Sequence, residues 1–144
     1  MKFDNQQVPK TFIAIDGDDI GPQIRDFIIN NDTQGAARFS NDLKNYFQQL
    51  EQWLLSMGAE IIFRGGDSIL ANHNFSSLFD TANTIPNGVC EISVGFGKSA
   101  EFAYLALQLA KARGKGRVVE LQNTEAVTLR VISEQHSSRR LTVL

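Results

Sequence analysis

The run Thr11-Phe-Ile-Ala-Ile15 is continuously apolar and passes without a spacer into Asp16-Gly17-Asp18-Asp19. A run without alternation predicts a central strand covered on both faces. Such a strand delivers its last side chains close to a core. Three carboxylates within four residues repel one another there, and each must be paired or bound to a cation. Any fold open to this chain therefore brings positive charge to the end of its first strand.

The 144 residues, 42% hydrophobic and 21% charged, suffice for a real core, and 1–144 reads as a single domain. A net charge of −2 argues against an electrostatic grip on long nucleic acid. No apolar stretch approaches the roughly 20 residues that span a bilayer. Residues 1–7, Met-Lys-Phe-Asp-Asn-Gln-Gln, hold no hydrophobic signal region. A cytoplasmic protein without a membrane partner is expected. Cys90, the one cysteine, sits in an alternating pattern and reads as a small buried apolar residue. His73 and His136 are too far apart for a familiar zinc spacing.

A short helix is expected after Pro22, with Ile24, Phe27 and Ile28 on one side, then a turn over residues 30–35. Phe39, Leu43, Phe47, Leu50, Leu54 and Met57 step by three or four, which predicts a helix over 36–57 closed by Gly58. Residues 60–64 and 68–71 read as two strands joined at Gly65-Gly66. A short helix around 76–83 and an Asn87-Gly88 turn lead to an alternating strand over 90–96. Ser99 is placed to cap a helix running to Arg113, with Phe102, Leu105, Ala106 and Leu109 inward and Gly114 as its stop. A strand over 117–121 follows. The tail, 122–144, holds two more strand-like runs, 126–132 and 139–144, split by the polar segment 133–138.

The order is β-α-α-β-β-α-β-α-β plus a β-rich tail, an α+β chain whose centre is the βαββαβ ferredoxin-like arrangement with an extra helix. In that arrangement the first strand runs beside the central hairpin, so Asp16 and Asp67 meet at one edge of the sheet. Aspartates brought together in this way form the hard oxygen site that magnesium or manganese prefers. The glycines beside them let backbone and phosphates approach. Either motif alone reads equally well as a plain loop; the two together, at these points of one topology, favour a site.

The stretches "AIDGDDIG", "FRGGDSIL", "SVGFGKS" and "ALQLAKARGKGRVV" resemble the successive motifs of palm-domain cyclases and polymerases. That group includes the GGDEF diguanylate cyclases and the polymerase subunit of type III CRISPR complexes. The likeness covers about residues 11–121. The D-G-D-D-I-G form and the GGDS variant are most similar to the stand-alone minimal CRISPR polymerases, small nucleotide cyclases linked with anti-phage signalling.

The resemblance implies a palm fold and a cyclase that turns ATP into a cyclic dinucleotide or small cyclic oligoadenylate, read by a separate effector protein. It implies that Asp16 and Asp67 hold two Mg2+ or Mn2+ ions, with the Gly17 carbonyl and Asp18 completing the shell. The amides of Asp19, Ile20 and Gly21 suit a phosphate at a helix start. Asp18 or Asp19 reads equally as a cap of that helix. The resemblance also implies that Gly65, Gly66 and Ser68 line the nucleotide site, and that Lys111 and Lys115 contact the triphosphate. One helical turn apart, the two lysines share a face if the helix end persists. Otherwise they read as complementing the helix C-terminus, the better reading for Arg113 and Arg117.

Two departures stand out. Ser68 replaces the acid of GGDEF and type III proteins, and Ser56-Met-Gly-Ala59 stands where many diguanylate cyclases carry an inhibitory R-x-x-D. Ser40 falls near the acid with which those cyclases read guanine, and a serine cannot accept from both N1–H and N2–H, so adenine is expected. Ser40 reads equally as a solvated helix residue. Joining two nucleotides on palms that hold one each calls for a homodimer. A GTP cyclohydrolase-like palm and a catalytically silent nucleotide sensor are the alternatives. No regulatory domain is evident within the sequence, so control is expected from a partner, nucleotide supply or product removal.

Overall fold

The computed structural model describes residues 10–122 and the strand backbones 129–134 and 142–143. The N-terminal expectation over residues 1–7 lies outside the described residues. So do His136 and parts of the strand-like runs 126–132 and 139–144. The elements are β1 (Thr11–Gly17), α1 (Ile20–Ile29), α2 (Thr33–Ser56), β2 (Glu60–Gly65), β3 (Ser68–His73), α3 (Leu78–Asn83), β4 (Ile92–Gly97), α4 (Ala100–Ala112), β5 (Arg117–Leu121), β6 (Leu129–Glu134) and β7 (Thr142–Val143). They build one mixed sheet in the order β2-β3-β1-β4-β5-β6-β7. The segment β2-β3-β1-β4 has the strand order expected of a ferredoxin-like core. β6 extends to Glu134, so the polar segment expected to split the tail begins inside a strand.

β1 is central because it is apolar on both sides. Ile13 and Ile15 face α2, packing with Phe47, Leu50 and Leu54, while Ala14 faces α4 with Ala103 and Leu107. The two helices therefore cover opposite faces. α2 starts at Thr33, three residues before the expected start, because the Asp32 side chain accepts from Gly35 N at 2.8 Å and caps the first turn. Gly35 is required there. A Cβ at that position would stand 2.2 Å from Asp32 Oδ2 and 2.7 Å from the Phe27 ring. Ser77 and Ser99 cap α3 and α4 in the same way, through Asp80 N and Phe102 N.

Phe102, Ala106 and Leu109 lie on the inner face of α4 as expected, but Leu105 does not. Ala103, Ala106, Leu107 and Ala110 are buried, and Leu105 points to solvent. The cause lies on β4. Cβ atoms at Gly95 and Gly97 would stand 2.2 Å from Ala103 O and 2.5 Å from Ala103 N, so the helix backbone rests directly on the strand. Only a small-residue face permits that approach. Leu105 is too large for it. Cys90 is buried, as expected, but precedes β4 rather than lying in it. Among the described residues, no helix is long and apolar enough to cross a membrane.

Candidate active site

The site is built where β1 ends. Asp16 lies across from Ser68 on β3 and from Ser93 on β4. Residues opposite each other on neighbouring strands share a face. Ser68, Asp16 and Ser93 thus form a polar row on the side that α4 covers. Ser68 Oγ donates to Asp16 Oδ1 at 2.7 Å, and Lys111 Nζ, reaching down from α4, lies 2.8 Å from Asp16 Oδ2. The same ammonium is 3.2 Å from Gly17 O and 3.2 Å from Asp18 Oδ1.

Asp67 stands in the turn between β2 and β3. Its carbonyl accepts from Gly17 N at 3.0 Å, and a Cβ on Gly17 would come within 3.1 Å of Asp67 Oδ2. The structure therefore brings Asp16, Gly17 and Asp67 together from chain segments fifty residues apart. Gly66 holds φ 54°, the left-handed backbone that its place in the turn demands. Gly65 is needed for another reason, since the Phe63 ring lies over it and a Cβ would meet that ring at 2.8 Å.

Burial first, and then the negative charge of Asp16, push Asp67 above its ordinary carboxylate value, against its own backbone hydrogen bond and Lys111. Its folded value lies above its unfolded one, so ionising Asp67 costs stability. That cost is absent below 3.8 and complete above the raised value. Asp67→Asn removes it. The melting temperature of this variant is expected to gain on wild type as pH rises through the carboxylate range. Thermal unfolding from about pH 3 to about pH 7 checks this, and parallel profiles would contradict it.

Asp18 has other partners than those expected of a metal ligand. It is 2% exposed, and both carboxylate oxygens accept from Ser93 Oγ at 2.8 Å. Gly116 N donates to Oδ2 at 2.8 Å, and Lys111 to Oδ1. These donors occupy the carboxylate and turn it toward β4 and β5. Asp18 does not cap α1 either. Asp19 occupies the N-cap position with φ 56° and ψ 30°, but its side chain makes no capping bond and pairs with Lys115 instead. The first-turn amides of Ile20 and Gly21 have no backbone acceptor among the described residues, and nothing lies within 4 Å of a Cβ at Gly21.

Lys115 does not share a helical face with Lys111. α4 ends at Ala112, and Gly114 N and Lys115 N close back on Lys111 O and Ala110 O, which makes a Schellman motif. Gly114, Lys115 and Gly116 all have positive φ. This left-handed turn carries Lys115 to Asp19 and Gly116 N to Asp18.

Ser40 lines a cleft of about 350 Å³ with Ile20, Lys44, Arg64, Gly66 and Asp67, on the α2 side of the carboxylates. Lys44 and Arg64 were not singled out in the sequence. Arg64 pairs with Glu51 at 3.4 Å and donates to Gly66 O at 3.2 Å, beside the glycine turn. A second, polar cleft of about 590 Å³ opens beside Asp18, Asp19, Gln23 and Glu91.

A divalent cation suits this donor set. Asp16 Oδ2 and Gly17 O already converge on one cation, the Lys111 ammonium, and Asp67 lies in a crowded negative field that a cation would relieve. Among the described residues, no cluster of three His, Cys, Asp or Glu side chains forms a complete metal cage. Two carboxylates with a carbonyl are the partial set typical of magnesium sites completed by water and substrate phosphates.

A mixed sheet with two aspartates at the end of its central strand and adjoining hairpin, flanked by lysines, defines a palm domain of the polymerase and cyclase type. The chain belongs to the minimal CRISPR polymerase domain family, which matches residues 12–121. No curated protein matches the sequence. Among solved structures, the fold is similar to that of a diguanylate cyclase/phosphodiesterase from Caldicellulosiruptor saccharolyticus. The TM-score is 0.59 at 12% identity, over 81% of this chain and 78% of that one. It is similar to a Csm1–Csm4 cassette in complex with cA4, with TM-score 0.52, 17% identity, and 80% of this chain against 21% of that one. An EAL/GGDEF domain protein from M. capsulatus gives TM-score 0.52 at 15% identity, over 83% and 88% of the two chains.

Proposed function

We propose that this palm domain is a metal-dependent nucleotidyl cyclase that joins ATP into a cyclic dinucleotide or small cyclic oligoadenylate. The observation that carries the reading is the meeting of Asp16, Gly17 O and Asp67 beside Lys111 and the open amides of Ile20 and Gly21. Family membership supports the same class of chemistry.

In this reading Asp16, Asp67 and the Gly17 carbonyl hold the ions, with Ser68 fixing the Asp16 carboxylate through its hydroxyl. Bound there, magnesium or manganese supplies positive charge to the triphosphate and lowers the pKa of the attacking hydroxyl. The amides of Ile20 and Gly21 receive a terminal phosphate at the start of α1. Lys111 and Lys115 add charge-assisted contacts to the triphosphate. Asp18 binds no metal. It fixes Lys111 and the Gly116 backbone in place.

Ser40, Lys44 and Arg64 line the base cleft, and its one carboxylate, Asp67, is committed to the ions. That supports adenine over guanine, whose N1–H and N2–H want a free acceptor. The hydroxyl of one nucleotide attacks the α-phosphate of the next and pyrophosphate leaves. Two palms holding one nucleotide each must face each other, so a homodimer is part of the reading. A separate effector in anti-phage defence would read the product.

The test is incubation with each NTP and Mn2+, followed by mass analysis. Cyclic adenylates with released pyrophosphate are the expected result. A ring-opened GTP would point to a cyclohydrolase, and bound but unchanged nucleotide to a sensor.

A further inference from the structure

The cation nearest the catalytic carboxylate is already part of the chain. Lys111 Nζ sits 2.8 Å from Asp16 Oδ2 and 3.2 Å from Gly17 O, two of the oxygens that the proposed function gives to the divalent ion. We infer that the Lys111 ammonium is the resident cation of the metal seat, and that a divalent ion enters efficiently only together with a triphosphate. The inference rests on the cyclase reading, but it concerns how the seat is filled before any chemistry.

A free metal ion must displace a tethered positive charge from oxygens that have packed around it. The displaced ammonium cannot simply swing into water without cost. Its third contact, to the buried Asp18 carboxylate at 3.2 Å, holds it over the seat.

A triphosphate changes both sides of the exchange. It offers the ammonium new anionic partners, and it supplies the phosphate oxygens that complete a magnesium shell begun by one or two carboxylates. Lys115 pairs with Asp19 at the surface. Both lysines thus rest on carboxylates, Lys111 half-buried and Lys115 exposed. By linkage, metal and triphosphate raise each other's affinity by one common factor, and part of that factor resides in Lys111.

Mn2+ binding to the full chain, read from the electron paramagnetic resonance of the free ion, tests this without turnover. Wild type, Lys111→Gln and Lys111→Arg are compared with and without α,β-methylene-ATP. Wild type is expected to bind Mn2+ weakly alone and about tenfold or more tighter with the analogue. Lys111→Gln should bind Mn2+ alone about tenfold tighter than wild type and gain less from the analogue. Lys111→Arg, which keeps the charge, should bind Mn2+ alone as weakly as wild type does. Equal Mn2+ affinity of wild type and Lys111→Gln without nucleotide would overturn the inference, as would tight Mn2+ binding by wild type alone. The cyclase reading would survive either result. Failure of wild type to bind Mn2+ even with the analogue would instead remove the metal reading, and this inference with it.

Discussion

Replacing Asp16 or Asp67 by alanine is expected to lower product formation by more than about 100-fold while the chain stays folded. The magnitude follows from the observation that losing a mere outer-shell partner of a metal ligand costs about 10- to 100-fold, so losing the ligand costs more. The fold survives because neither side chain fills a core. Asp67 is crowded by burial and by Asp16, so its removal relieves unfavourable charge. Asp16→Ala leaves Lys111 with Gly17 O and Asp18 as partners. Mass analysis of products beside thermal unfolding of each variant separates the two effects. Activity above about a few per cent of wild type in both variants would dismiss the assigned ligands. Mixing Asp67→Ala chains with wild type extends the test. In a site shared across a two-fold axis, activity falls faster than the fraction of active chains.

Asp18→Ala is expected to do the reverse and act first on stability, lowering it by about 3 kcal/mol or more. The side chain is buried, and its loss strands the Ser93 hydroxyl and the Gly116 amide together with one of the contacts of Lys111. Asp18→Asn keeps one acceptor oxygen and should lose less. Urea unfolding read by circular dichroism checks both. An Asp18→Ala chain that unfolds at the wild-type urea concentration would show that the network does not hold β1, β4 and β5 together. Two aspartates separated by one glycine thus have opposite tasks. In the proposed reading Asp16 holds an ion, and Asp18 anchors the loop that carries it.

The sequence made the first task visible and concealed the second. The apolar run before Asp16 and the glycine pair before Asp67 are local signals, and the βαββαβ order was enough to expect both at one sheet edge. The partners of Asp18 come from residues 75 and 98 positions away, set by the β4 register and a left-handed turn that no local pattern announces. One clue was available. Ser93 is the lone hydroxyl within an otherwise apolar strand, and a buried hydroxyl needs a partner.

On the inner face of α4, Leu105 departs from expectation, because helical spacing alone favours it over the smaller Ala103. Gly95 and Gly97 select the alanines instead, and their effect crosses from another element. A face shared by Lys111 and Lys115 needs α4 to persist past Gly114, and the left-handed turn there ends it. Asp32 was read as part of a turn, when an aspartate followed by a helical stripe is a cap.

Ser68, Asp16 and Ser93 lie at a single level of three adjacent strands. Moving any one strand by one residue would send its polar member to the side packed by α2 and bring the residue next to it, such as Ile15, Ile69 or Val94, into the site. The connections around 30–32, 74–77 and 84–91 lie outside these paired strands, so a change of length there leaves the row in register. An added or lost residue within 12–16, 68–71 or 93–96 is a different kind of event. It cannot be absorbed a little at a time, so over generations these three segments vary by exchange of letters and the connections vary by count.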